Sequence, residues 1–226
     1  MEKIKSVSPV NHGWLEGKLD NQEMDYLWNC IKNRGKGVKD ILVGQLDSSF
    51  EINDEGGRFY KKVIEQMIMQ YHDVFGTDNV KVPTTNMHEL VINSMWVNFQ
   101  KEGDYNPIHK HTAIYSFVIW MKIPTRHEEQ SKFKNSVGSS VKLNSTFQFQ
   151  YNDIMGNFKT FNYNTNPEDE GTILFFPSKL LHQVYPFFNC NQERISISGN
   201  VFLNTSKISQ VGRMDMSQTN YIDYRS

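Results

Sequence analysis

Five apolar segments in the second half of the chain limit most strongly what this sequence can fold into. They are rich in Val, Ile, Phe, Tyr and Ser, and clusters of Gly, Pro, Asn or Asp bound each of them. Short runs of this composition, separated by turn residues, are typical of an all-β sandwich or barrel. The predicted strands are Glu89 to Gln100, Ile114 to Pro124, Val141 to Tyr151, Gly171 to Pro177 and Arg194 to Leu203.

The first eighty or so residues show a helical pattern instead. Asp20 and Glu23 resemble a capping pair, and the apolar residues that follow recur at helical spacing as far as Ile31, so we expect a helix that stops near Gly35. A second helix is predicted from about Gly57 to Phe75. Helices followed by strands favour an antiparallel sheet that the N-terminal helices support on one face.

The length of 226 residues fits a single domain. We expect residues 1–88 to form a mostly helical support, residues 89–204 to form the β core, and residues 205–226 to form a tail. The polar, aperiodic stretch from Arg126 to Ser140 predicts a mobile loop.

Charge and composition argue against several classes of function. The net charge is −1, so a general binder of nucleic acid or of a membrane surface is not expected. No run of 18 apolar residues exists, and residues 1–10 lack an apolar signal core, which favours a cytoplasmic protein without a membrane span. Cys30 and Cys190 form no CxxC pair, which suits a reducing compartment.

Three of the seven histidines lie where predicted strands begin or end. His109 and His111 stand two residues apart just before the strand at Ile114, and residues at that spacing share one side of an extended chain. His182 follows the strand that ends at Pro177. Imidazole suits Fe, Zn, Cu and Ni, so the three could hold one such ion.

An arginine and a hydroxyl group open the last predicted strand. In Arg194-Ile195-Ser196 the polar residues alternate with apolar ones, which places Arg194 and Ser196 on the same face of the strand. A guanidinium beside a hydroxyl binds a carboxylate through charge-assisted hydrogen bonds. Near a metal, the pair would hold the far end of a small dicarboxylate.

These motifs resemble those of the Fe(II)- and 2-oxoglutarate-dependent dioxygenases. The stretch from Gly103 to His111 is similar to the metal loop of their prolyl-4-hydroxylase-like branch, and to a group of 2-oxoglutarate–Fe(II) oxygenases common in phages and marine bacteria. The Gly171-led strand with its Phe-Pro pair, then His182, then Arg194-x-Ser196 agree in order and spacing. The resemblance covers about residues 89–204.

The resemblance implies a fold, a cofactor set and residue roles. The fold is a double-stranded β-helix (a cupin-like jelly-roll), mostly β, with N-terminal helices that buttress it. Fe(II), 2-oxoglutarate and O2 are the implied cofactor and cosubstrates. His109 and His182 would be ligands of Fe(II), and Arg194 with Ser196 would bind the distal carboxylate of 2-oxoglutarate. Tyr115 is a weaker candidate for that carboxylate, and Asn98 could meet the cosubstrate or the substrate.

One position departs from the family pattern. The superfamily has Asp or Glu two residues after the first histidine, whereas this chain has His111. Three interpretations remain: His111 is the third ligand, a nearby carboxylate such as Asp104 replaces it, or water or an anion fills the position. The spacing favours His111. No catalytic residue beyond the metal ligands is predicted.

The function expected from the resemblance is oxidative. We expect hydroxylation of an unactivated C–H bond in a peptidyl or small-molecule substrate, with release of succinate and CO2. No basic aromatic surface points to nucleic acid, and an oligomer is possible. The alternatives are a non-catalytic, cupin-like binding or structural protein and a three-histidine metal dioxygenase that does not use 2-oxoglutarate.

Overall fold

Two antiparallel β-sheets packed face to face form the centre of the molecule. The computed structural model describes residues 4–7, 11–77 and 88–205. The larger sheet has the order β1-β8-β5-β10-β3-β2 and the smaller sheet has the order β4-β9-β6-β7. The strands are β1 (Leu15–Lys18), β2 (Ser48–Glu51), β3 (Leu90–Gln100), β4 (Asn106–His109), β5 (Tyr115–Lys122), β6 (Thr146–Asn152), β7 (Phe158–Asn164), β8 (Thr172–Pro177), β9 (Leu181–Val184) and β10 (Arg194–Leu203).

Helices cover the outer face of the larger sheet. Helix α1 (Asn21–Lys32) begins where the Asp20 carboxylate accepts a hydrogen bond from the backbone N–H of Glu23 at 2.9 Å, as the capping pair predicted. Helix α2 (Glu65–Phe75) continues a π-helical turn (Tyr60–Ile64) and ends at Gly76, whose φ is +79°. The helices bury residues such as Leu27 and Phe59 against this face of the sheet.

Alternation along β10 gives the larger sheet its two chemically different faces. Ile195 and Ile197 pack into the helix-side core. Arg194, Ser196 and Ser198 point the other way, into the space between the sheets. The sequence therefore predicted correctly a mostly β fold with N-terminal helices on one face, and the jelly-roll core is confirmed.

Five strands lie outside the predicted set. Strands β1 and β2 fall in the segment expected to be mostly helical, but they have only four residues each. Strands β4 and β9 are equally short. Strand β7 is exposed along nearly its whole length, so its sequence shows no burial-driven alternation. The expected tail lies almost entirely outside the described residues.

The stretch from Arg126 to Ser140 differs from the loop that its polarity predicted. It contains helix α3 (His127–Ser131), and the Gln130 side chain is buried. The Gln130 amide exchanges two hydrogen bonds with the backbone of Phe188, and the Phe133 ring stacks on the Phe188 ring at 4.9 Å. Polar side chains anchor this segment by bonding to main-chain groups, which hydrophobic patterning cannot reveal.

Residues 35–47, called here the cover segment, lie beside the open end of the sandwich. Their first part follows the outer edge of β2, where the Gly35 and Val38 N–H groups donate to Glu51 and Ser49. Further along, Gln45 pairs with Tyr105, just before β4. The cover segment thus links an edge of the larger sheet to an edge of the smaller one. None of the described helices is long and apolar enough to cross a membrane.

Candidate active site

A cleft between the two sheets collects the polar residues that face inward. Its walls include Trp96, Val118 and Trp120 from the larger sheet and Phe147 from the smaller one. Residues of the cover segment close one side. His109, His111, His182, Arg194, Ser196 and Asn98, all predicted as site residues, line this one cleft.

The three histidines meet at the β4–β9 end of the cleft. His109 ends β4 and lies directly opposite His182 of β9 in the strand register, and His111 follows in the next turn. One nitrogen from each ring lies within 4.8 Å of the others, and the Nε2 atoms of His111 and His182 are 3.3 Å apart. Two of these side chains are partly exposed and His182 is buried, so the group can bind an ion that enters from the cleft.

Backbone carbonyls fix the tautomers of two of these rings. His109 Nδ1 lies 2.7 Å from the Pro107 carbonyl oxygen, and His182 Nδ1 lies 2.9 Å from that of Leu180. Because a carbonyl only accepts, each Nδ1 carries the proton and donates it. Each Nε2 therefore presents a lone pair, which is the arrangement that metal-binding histidines adopt.

Burial keeps all three imidazoles neutral. Desolvation lowers the pKa of His109, and it lowers the pKa of His182 well below the ordinary value. Desolvation, with the charge of His109 as a smaller cause, lowers the pKa of His111 to about 4. Neutral imidazole is the form that binds metal, so the donor set fits a transition-metal ion.

The third nitrogen comes from His111, and Asp104 lies elsewhere. The Asp104 carboxylate accepts hydrogen bonds from the backbone N–H groups of Asp47 and Lys101, at 2.7 and 2.9 Å, and so closes a turn. Of the candidates that the sequence offered, only His111 joins the other two histidines among the described residues.

Arg194 is a buried cation with neutral partners. Its side chain is 3% exposed and lies over the Phe187 ring, 5.1 Å from the centroid. Its Nε donates to Gln100 Oε1 at 2.9 Å and its Nη2 donates to the Tyr185 carbonyl at 3.0 Å. Burial lowers its pKa to about 10, which leaves it protonated at neutral pH. No Asp or Glu is among the described residues that line the cleft.

Ser196 and Asn98 also face the cleft, but Tyr115 does not. Ser196 neighbours Arg194 on the inner face of β10. The Asn98 amide bonds to the hydroxyls of Ser49 and Ser198, so both of its ends have protein partners. The prediction for Tyr115 is wrong, because strand alternation turns this side chain to the helix side, where its hydroxyl lies 3.0 Å from His72 Nε2.

Two polar residues of the cleft were not predicted as site residues. Gln100 and Asn106 each have a buried side-chain atom without a hydrogen-bond partner, Nε2 in one and Oδ1 in the other. Gln100 stands two residues after Asn98 on the same strand face, so alternation alone could have identified it. Nothing in the sequence marks the cover segment as a wall of the site.

The fold and the three-histidine cluster together define a jelly-roll protein with three imidazole nitrogens placed so that they could hold one metal ion. A family model described as "Putative 2OG-Fe(II) oxygenase" matches residues 94–200, which include all three histidines and Arg194. The matched segment, just under half of the chain, indicates a 2-oxoglutarate- and Fe(II)-dependent oxygenase, a family of oxidoreductases that use Fe(II), 2-oxoglutarate and O2.

Solved structures share the fold at low sequence identity. A prolyl-4-hydroxylase from Pseudomonas putida is 14% identical, with a TM-score of 0.50 over 85% of this chain and 93% of that one. The epimerase SnoN of nogalamycin biosynthesis, a non-heme enzyme dependent on α-ketoglutarate, is 9% identical, with a TM-score of 0.51 over 84% of this chain and 78% of that one. No curated protein is significantly similar in sequence.

Proposed function

We propose that this oxygenase hydroxylates a C–H bond of a small-molecule or peptidyl substrate. In this proposal His109, His111 and His182 hold Fe(II), and Arg194 with Ser196 binds the distal carboxylate of 2-oxoglutarate. When bound, the metal, 2-oxoglutarate and O2 would supply the oxidising chemistry: 2-oxoglutarate is converted to succinate and CO2, with one oxygen atom of O2 entering succinate and the other entering the substrate.

The observation that carries the proposal is a buried, protonated arginine without an acidic partner in the same cleft as the three histidines. A buried charge without a counter-ion is costly, and a bound carboxylate removes that cost. The fork of the guanidinium matches a carboxylate in shape as well as in charge. A dicarboxylate that reaches from Arg194 to the metal satisfies both groups at once.

The other residues of the cleft orient the ligands and exclude water. The Nδ1–H bonds of His109 and His182 hold the two rings in the ligand tautomer before any ion arrives. Trp96, Trp120 and Phe147 give the cleft apolar walls, which strengthen the charge interactions inside it.

The charges around the cleft favour a neutral or anionic substrate. Lys110 is exposed at the edge of the cleft, and no carboxylate is available among the described lining residues to bind a cation. Ile41 and Val43 of the cover segment add exposed apolar surface at the same place. A substrate with an apolar group therefore fits this entrance better than an amine.

An anaerobic titration with Fe(II), with and without 2-oxoglutarate, tests the proposal. We expect a visible metal-to-ligand charge-transfer band that needs both components and is lost in Arg194→Ala. Iron binding that does not respond to 2-oxoglutarate would instead support the three-histidine dioxygenase that uses another cosubstrate. If no iron binds at all, the protein is a non-catalytic binding module.

A further inference from the structure

The amide of Gln100 has one end bonded and the other end buried without a partner. Gln100 lies opposite Arg194 in the register of β3 and β10, and Arg194 Nε donates to Gln100 Oε1. A guanidinium has no acceptor, so this contact fixes which end of the amide is oxygen. The orientation of Nε2, which is buried and unbonded, follows without ambiguity.

A buried hydrogen-bond donor without a partner requires an acceptor. Leaving such a group without a hydrogen bond is destabilising, and native proteins seldom do so unless a ligand or water completes it. Among the described residues, Gln100 Nε2 is the one buried side-chain donor in this condition; the other orphaned atoms, in Glu23 and Asn106, are oxygens. The missing partner of Gln100 is therefore an acceptor.

The surroundings of Gln100 favour an anionic acceptor. The residue is 3% exposed and belongs to the same cleft wall as Arg194 and Ser196. Both hydrogen bonds of Arg194 go to neutral oxygens, and no carboxylate is among the described residues of the cleft wall. A carboxylate placed between these groups would accept from the guanidinium, from the hydroxyl and from the amide N–H.

We propose that Gln100 is a positioning residue for the cosubstrate, with a separate task for each end of its amide. Oε1 holds the Arg194 guanidinium through Nε, and Nε2 donates a further hydrogen bond to the distal carboxylate of 2-oxoglutarate. The identity of that carboxylate rests on the proposed function, whereas the need for an acceptor rests on the geometry of Gln100 and Arg194.

Two ligands that differ only at the distal end test this assignment. 2-Oxoglutarate and 2-oxovalerate share the keto-acid end, but 2-oxovalerate ends in a methyl group. Dissociation constants are measured calorimetrically on the Fe(II)-loaded protein without oxygen, for wild type, Gln100→Met and Gln100→Glu. The matched control is Gln150→Met, because the Gln150 amide bonds to Gln148 and does not line the cleft.

We expect Gln100→Met to weaken the binding of 2-oxoglutarate by about 10-fold or more, because a hydrogen bond to a charged group is lost. Binding of 2-oxovalerate should change by less than about twofold, and the control should match wild type for both ligands. Gln100→Glu keeps an acceptor for Arg194 but replaces the donor with a negative charge, so it should weaken 2-oxoglutarate further.

Equal losses for both ligands in Gln100→Met would show that Gln100 only supports the fold, and would overturn the assignment. Undiminished binding of 2-oxoglutarate in both variants would overturn it as well. Failure of the wild-type protein to bind 2-oxoglutarate would instead refute the proposed function itself, so the two failures are distinguishable. Melting temperatures of the variants identify any that do not fold.

Discussion

The close approach of the Phe117 ring to Gly199 in the helix-side core predicts how the protein responds to one added methyl group. Gly199 of β10 lies under the Phe117 ring, and a Cβ atom at this position would lie 2.3, 2.7 and 3.0 Å from three of the ring carbons. Ordinary van der Waals contact begins at 3.4 Å, so in Gly199→Ala the ring must retreat by roughly 1 Å. Phe117 is 1% exposed and packs on Phe59, so movement of its ring disturbs buried neighbours.

Overpacking of this kind costs about 1–3 kcal/mol, and alanine recovers about 0.5–1 kcal/mol because it restricts the unfolded chain more than glycine does. We therefore expect Gly199→Ala to lower the free energy of unfolding by about 1–2 kcal/mol. For a domain of this size that corresponds to a melting temperature about 2–8 °C lower.

Urea unfolding and thermal melting followed by circular dichroism measure the effect. Gly138→Ala is the matched control, because a Cβ atom there has no neighbour within 4 Å, and it should change stability by less than about 0.5 kcal/mol. The double variant Gly199→Ala with Phe117→Leu should lose less than the sum of the single changes, because the smaller side chain makes room. An unchanged melting temperature in Gly199→Ala would refute the packing argument.

Three further predictions concern the metal site, the helix-side core and the cover segment. His111→Ala should weaken Fe(II) binding by more than about 100-fold, whereas His111→Asp should retain most of it; unchanged affinity in the alanine variant, measured by anaerobic calorimetry, would mean that His111 is not a ligand. Burial lowers the pKa of His72, so the unfolded chain takes up this proton first and stability is lost as pH falls below about 6.5. The melting temperature should consequently drop less between pH 7.5 and pH 5 in His72→Gln than in wild type, and equal drops would contradict this. Gly44→Ala places a Cβ atom 2.6 Å from Asn106 Oδ1, so we expect the cover segment to be displaced and its amide hydrogens to exchange about fivefold faster or more by mass spectrometry. Exchange at the wild-type rate would show that the segment tolerates the contact.

The parts of the fold that follow a burial pattern could be predicted from the sequence. The bounds of helix α1 and of strands β3, β5, β8 and β10 were predicted within a few residues. Each of these elements buries one face or both, and this burial appears in the sequence as a pattern of apolar residues. Strand β7 could not be predicted, since nearly all of its residues are exposed and its pairing with β6 depends on backbone and polar side-chain hydrogen bonds, which leave no hydrophobic pattern. Helix α3 was missed because Gln130 anchors it through main-chain groups of Phe188.

The site residues also fall into those that the sequence could predict and those that it could not. The histidines and Arg194 could be named because their side-chain chemistry and spacing are specific. Tyr115 was named on the family resemblance alone, and its side chain lies on the helix side of the sheet. Gln100 and the cover segment were not predicted as parts of the site. The role of Gln100 depends on an amide nitrogen without a partner, and that of the cover segment depends on its position beside the cleft; both are properties of the folded structure.

The hydrogen bonds from His109 and His182 to their own strands have a consequence for how this site can evolve. Each ring donates its Nδ1–H to a carbonyl two residues earlier in the chain, at Pro107 and Leu180, so these two hydrogen bonds involve no second side chain. Because every residue type has this carbonyl, substitution at either position leaves the acceptor in place. The walls of the cleft can therefore diverge to admit new substrates while the orientation of the two rings is inherited with the backbone.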